Sequence, residues 1–236
     1  MPNLTDRYGN ELEALPALLS AGRDATWAYS WEGEDILAWK ILHDQLGVGT
    51  GFYVDVGAHH PSYLSNTFLF YQRGWRGINI DAMPGSMEPF RIVRPEDLNL
   101  EIGIAREAST KVLVQFDDPS LNGFLSEDQI LSQTGRGCTV LHRSIVECVP
   151  LTTILDRYEV ASNFDLLNID VEGLELEVLS SIDFTRYRPK LIIGEALGCN
   201  CVEDALASPI ARVMKTKGYK LFSRLHFSMI FIEESR

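Results

Sequence analysis

One segment, FDLLNIDVEGLELEVL at 164–179, constrains this chain more than any other. An apolar run at 166–169 leads into two acids, Asp170 and Glu172. Gly173 breaks the run, and a helical pattern follows with Leu174, Val178 and Ile182 on one face. Ligands of open α/β sheets sit beyond the carboxyl ends of the strands, so a strand ending in carboxylates aims them at the crevice where chemistry happens. The same grammar recurs in GFYVDVGAHHP (51–61), in 77–81 with its terminal Asp81, and in 191–195 with its terminal Glu195. The pattern predicts a doubly wound, mainly parallel sheet with an acidic edge.

Other boundaries follow from periodicity and punctuation. A helix is expected from Glu34, one over Leu64, Phe68 and Tyr71 closed by Gly74, and one opened by Pro84 and ended before Pro95. Leu98, Leu100, Ile102 and Ile104 alternate as one strand would, and Val112, Val114 and Phe116 alternate again. Ser208-Pro209 starts a helix closed by Gly218, and 219–223 with 227–232 form a C-terminal antiparallel hairpin. Residues 117–150 show no firm period and read as an irregular lid over the sheet edge. The expected organisation is an N-terminal helical extension over 1–45, holding a leucine-rich helix near 12–19, and one domain over 46–236.

Charge narrows the partners. With 33 acidic and 21 basic residues the formal charge is −12, the opposite of what gripping a phosphate backbone requires, so nucleic acid is not an expected partner. Cys138, Cys148, Cys199 and Cys201 match no zinc spacing and read as free thiols in a reducing cytoplasm. No apolar run nears the roughly 20 residues that span a bilayer, and no targeting segment is apparent. The four tryptophans read mainly as core, and His142 and His226 as surface residues.

The turn after the first strand discriminates between cofactors. A dinucleotide pyrophosphate needs G-x-G-x-x-G, but here His59 stands at the second glycine position and Pro61 follows. A cofactor without phosphate, such as S-adenosylmethionine, tolerates that turn, with Gly57 giving the one close backbone approach. Asp81, about 25 residues on, is suited to a ribose diol. For a hydroxyl acceptor the base is sought among Asp170, Glu172, Glu195, His59 and His60. The converging carboxylates also suit hydrogen bonding to a polyol or coordination of a divalent cation such as magnesium. Glu172 has a plainer reading as a helix N-terminal acid.

The segments YSWEGED (29–35), GFYVDVGAHHP (51–61), GWRGINIDAMPGS (74–86), RPEDLNLE (94–101) and IDVEGLE (169–175) occur in the order that resembles an FkbM-type methyltransferase. The resemblance implies a Rossmann-like S-adenosylmethionine fold of the class I methyltransferase type, acting on hydroxyls of sugars, glycan precursors or secondary metabolites. It implies that Asp55, Gly57 and Ala58 line the methionine end of the cofactor and Asp81 its ribose. His59, Ala82 and Glu32 are further expected cofactor-binding residues, and Trp31 lies in a matching segment near the cofactor entrance. Many relatives carry Asn and Gly where this chain has His59 and Pro61. A methyltransferase for an amine, and a non-catalytic relative that only binds the cofactor, are the alternative readings.

Overall fold

The computed structural model describes residues 27–118, 121–195 and 197–234, so the expected helix near 12–19 lies outside the described residues. Seven strands form the main sheet: β1 (Phe52–Val56), β2 (Arg76–Asp81), β3 (Leu98–Glu101), β7 (Leu166–Ile169), β8 (Leu191–Glu195), β9 (Tyr219–Arg224) and β10 (Ser228–Glu233). Their spatial order is β3-β2-β1-β7-β8-β10-β9. Pairing is parallel from β3 through β8, and β10 runs antiparallel to both its neighbours, which gives the expected terminal hairpin.

Side-chain alternation explains why both faces are covered. Val54, Ile78, Ile80, Leu167 and Ile192 point into one core, shared with helices α5 (Leu151–Arg157), α6 (Glu175–Ser180) and α8 (Pro209–Thr216). Tyr53, Leu166, Leu191, Ile193 and Ile230 point into the other, against α1 (Glu34–Trp39, continued as a π-helix over Lys40–Gln45) and α2 (Phe68–Gln72). Ala38, Ile41 and Leu42 are fully buried there, so the segment 34–45 is part of the domain and no separate extension. Helix α3 (Met87–Val93) starts three residues after Pro84, which sits in a turn instead. Helix α7 (Val202–Ala207) precedes α8. Trp75 is core as expected, whereas Trp27 and Trp31 are half exposed. Among the described residues no helix is long and apolar enough to cross a membrane.

Two expectations are corrected. The alternation from Leu98 to Ile104 spans two sheets: β3 ends at Glu101, and β4 (Gly103–Ile104) belongs to a second, three-stranded sheet ordered β4-β6-β5. That sheet pairs β5 (Ser109–Phe116) with the ten-residue β6 (Val140–Val149). The segment 117–150 is therefore not irregular, because it carries β6 and helix α4 (Glu127–Gly135), capped by Ser126 and Gln129. Its period was hidden because β6 exposes Leu141 and Ile145, and α4 buries only Ile130.

A buried polar network joins the loop after β1 to the sheet. The Arg94 guanidinium, fully buried, donates to the Pro61 carbonyl (2.7 Å), Thr67 Oγ1 (2.8 Å), Ser65 Oγ (2.6 Å) and Asn79 Oδ1 (3.0 Å). Asp97 accepts from the Gly77 amide (2.9 Å), from Asn79 Nδ2 (3.0 Å) and from the Tyr53 hydroxyl. Removing the cation leaves the Pro61 carbonyl and Asn79 Oδ1 without their donor and breaks the bonds to Ser65 and Thr67, a loss of roughly 3–5 kcal/mol. Arg94→Met is expected to lower the urea-unfolding free energy by that amount. A loss under about 1 kcal/mol would contradict the network's structural role.

Candidate active site

The carboxyl ends of β1, β2 and β7 open into one cavity of about 730 Å³, and the second sheet forms its far wall. Gly57, Ala58 and His59 line it after β1, Asp81 through Ser86 after β2, and Asp170, Val171 and Glu172 after β7. Leu113, Gln115, Asn122 and Phe124 face them from the insert, the segment 103–149 that carries the second sheet. The insert is fastened on both flanks: Gln115 Nε2 donates to Met83 Sδ, and Lys111 pairs with Glu177 on α6.

Backbone geometry at the strand ends is tight. Gly57 has φ 81°, and a Cβ there would lie 1.7 Å from the Asp170 carbonyl oxygen. The glycine is thus demanded by the approach of β1 to β7, not only by a ligand. The Asp170 amide donates to the Val56 carbonyl (2.9 Å), and the Gly57 and Ala58 amides share the Ile80 carbonyl (2.9 and 3.1 Å). Three of the four described non-glycine residues with positive φ, His59, Leu64 and Glu172, line the cavity. Such strain persists where surrounding structure enforces it, and it concentrates at functional sites.

Each expected site residue has a definite place. Asp81 accepts the His59 amide at Oδ2 (2.9 Å) and the Met83 amide at Oδ1 (2.7 Å), which fixes the carboxylate at the cavity edge beside Ala82. Asp55 is buried at the back wall and accepts from Thr67 Oγ1 (2.5 Å) and Asn168 Nδ2 (2.8 Å). Burial pushes its carboxyl up, opposed by Arg94 and by these two hydrogen bonds. Glu32 lies outside the cavity lining, with its carboxylate on the Phe227 amide (2.8 Å). His60 also lies outside it: Nδ1 accepts the Ser62 and Tyr63 amides (3.2 and 2.9 Å), and burial pulls its imidazole down. His142 and His226 are exposed.

Asp170, Glu172 and Glu195 converge, each offering a carboxylate oxygen within 4.8 Å of the others. The parallel pairing of β7 with β8 brings them together, with Ile169 opposite Gly194. Glu195 sits behind the lining, and its buried Oε2 has no hydrogen-bond partner among the described residues. Burial, then the neighbouring Glu172 and Asp55, pushes Asp170 up to about 7. Glu195 is also pushed up, by burial and by Asp170, and Glu172 by burial and Glu175.

Sequence reasoning missed Glu175, which is buried and accepts the Val171 and Gly173 amides (3.4 and 3.0 Å). It fills the helix N-terminal role considered for Glu172, leaving Glu172 exposed on a left-handed turn. It also missed Arg94, Asn66 and Asn168. Asn66 Nδ2 donates to Asn168 Oδ1 (2.9 Å), and both residues line the cavity.

The chain matches the methyltransferase FkbM domain over residues 55–221. A search of curated proteins returns no match. Among solved structures the chain is similar to a TehB-like SAM-dependent methyltransferase from Corynebacterium glutamicum, at 13% identity over 94% of this chain and 95% of that one, with a TM-score of 0.39. It is also similar to the 1,6-didemethyltoxoflavin-N1-methyltransferase of Burkholderia thailandensis, solved with 1,6-didemethyltoxoflavin and S-adenosylhomocysteine. That likeness has 11% identity over 94% of this chain and 86% of that one, with a TM-score of 0.44.

The raised carboxyls carry a sign for stability. A carboxyl held above its unfolded value near 4 binds a proton in the folded chain that the unfolded chain has released. Its stabilisation is complete below about pH 4 and is lost as pH rises through the folded value, about 7 for Asp170. Asp170→Asn is therefore expected to be more stable than the parent at pH 8.5, by roughly 1–3 kcal/mol, and to flatten the decline from pH 5 upward. Urea melts across that range check it, and parallel pH profiles for the two proteins would contradict the crowded cluster.

Proposed function

We propose a reaction for this chain, which belongs to the methyltransferase FkbM domain family: transfer of a methyl group from S-adenosylmethionine to a hydroxyl of a sugar, glycan precursor or secondary metabolite. The observation that carries it is the single cavity in which Asp81 and the Gly57–His59 turn face Asp170 and Glu172. Among the described lining residues there is no lysine or arginine to meet a pyrophosphate, and the nearby carboxylates favour a sulfonium.

When bound, the cofactor supplies an electrophilic methyl group on a cationic sulfur. The protein's part is alignment, exclusion of water and removal of the acceptor's proton. Asp81, held by two backbone amides, keeps lone pairs for the ribose hydroxyls. Asp170 faces the cavity with a carboxyl raised to about 7, matched to taking a proton near neutral pH. Burial and the neighbouring Glu172 sustain that affinity for a proton, and burial with Asp170 raises Glu195 in turn. A second reading draws on the same convergence: Asp170, Glu172 and Glu195 would hold a divalent cation through oxygen, and it would act as a Lewis acid on the acceptor. The four cysteines, all free, suit a reducing compartment, and the cytoplasm is the proposed setting.

The test is transfer of labelled methyl from S-adenosylmethionine into extracted small molecules, followed by turnover on the acceptor so found. Asp170→Asn is expected to lower turnover by about 100-fold while cofactor affinity changes little. Near-normal turnover in that variant removes Asp170 from the mechanism. An amine acceptor gives up its proton more readily than an alcohol, so a small effect there favours amine methylation. Loss of activity with a chelator, restored by magnesium, selects the metal reading, and indifference to the chelator selects the direct base.

A further inference from the structure

Resting on the methyl-transfer reading above, we infer that the acceptor carries no anionic group into this cavity: it is an uncharged, polyhydroxylated ring and not a sugar phosphate, nucleotide sugar or carboxylate. The described lining holds four carboxylates, Asp55, Asp81, Asp170 and Glu172, and no lysine or arginine. Arg94 answers Asp55 from behind the wall, and two backbone amides answer Asp81. Glu172 is answered only by the imidazole of His59, and no cation among the described residues answers Asp170; these two acids meet the acceptor half of the cavity.

Phosphate sites are built from arginine, lysine or free amides at a helix N-terminus. The amides nearest Asp170, those of Val171 and Gly173, are already taken by the Glu175 carboxylate. The opposite wall offers what a neutral ring needs. Leu113 and Phe124 give apolar surface, while Gln115, whose Nε2 donates to Met83 Sδ, and Asn122, whose Oδ1 accepts the Phe116 amide (2.7 Å), bring polar amides. At an effective dielectric near 20, an anion ~6 Å from one unanswered carboxylate binds roughly 100-fold more weakly, and salt reduces that to about tenfold.

The experiment is saturation-transfer NMR on the whole chain with S-adenosylhomocysteine, using matched sets of neutral glycosides, their phosphates, their carboxylates and their amino counterparts, with EDTA and then with magnesium. The neutral set is expected to bind at least tenfold more tightly than its phosphorylated and carboxylated partners under both conditions. Glu172→Arg, a change at an exposed position, should shrink or reverse that preference. Phosphates binding as well as neutral glycosides, no difference between the sets (silence from all of them included), or a dominant amino set would each overturn the inference. Binding of S-adenosylhomocysteine is read first. Its failure counts against the cofactor reading, and the charge preference is then measured on the protein without it.

Discussion

The buried guanidinium of Arg94 is the interaction on which the cavity depends. No charge that size stays in a protein interior without partners, and each of its partners is structural: the Pro61 carbonyl, Ser65, Thr67 and Asn79. Through them it ties the loop after β1 to β2 and, by way of Thr67, to Asp55 at the end of β1. Asn168 extends the chain of contacts to β7. Three strand ends are thereby held at fixed distances from one another before any ligand arrives. That is the pre-organisation a transfer reaction needs, since alignment of donor and acceptor supplies much of its rate.

With the edges pinned, the acids can be crowded. Asp170, Glu172 and Glu195 stand closer than three ionised carboxylates would choose, and burial, reinforced by that closeness, raises their affinity for protons at the acceptor side of the cavity. Gly57 and the left-handed Glu172 turn are the backbone consequences of the same closeness. Local stability is given up where chemistry is to happen, and the rest of the sheet holds it in place.

How much of this was legible depended on which interactions are local. The main sheet was, because strands buried on both faces read as apolar runs such as 166–169 and 191–195, each ending in an acid that could be located by residue. The second sheet was not. Its strand β6 puts Leu141 and Ile145 toward solvent, so its alternation does not separate core from surface, and its partner β5 lies beyond a helix in the chain. Arg94 was visible only as part of a family segment, since its partners lie 15 to 33 residues away and nothing local marks an arginine as buried. Glu175 escaped because an acid in the first turn of a helix is ordinary. Glu32 was placed at the site by the family resemblance and His60 by its place after β1, yet Glu32 Oε2 and His60 Nδ1 each accept backbone amides outside the cavity lining.

The central claim is that this cavity is built for a cofactor without phosphate, held at the end of β2. Calorimetric titration of the wild type with S-adenosylhomocysteine and with NAD, repeated on Asp81→Ala, tests it most directly. The account predicts one S-adenosylhomocysteine site per chain, weakened by roughly 1.5–3 kcal/mol in the variant, and no saturable NAD binding. Tight NAD binding, or unchanged S-adenosylhomocysteine affinity in Asp81→Ala, would contradict it.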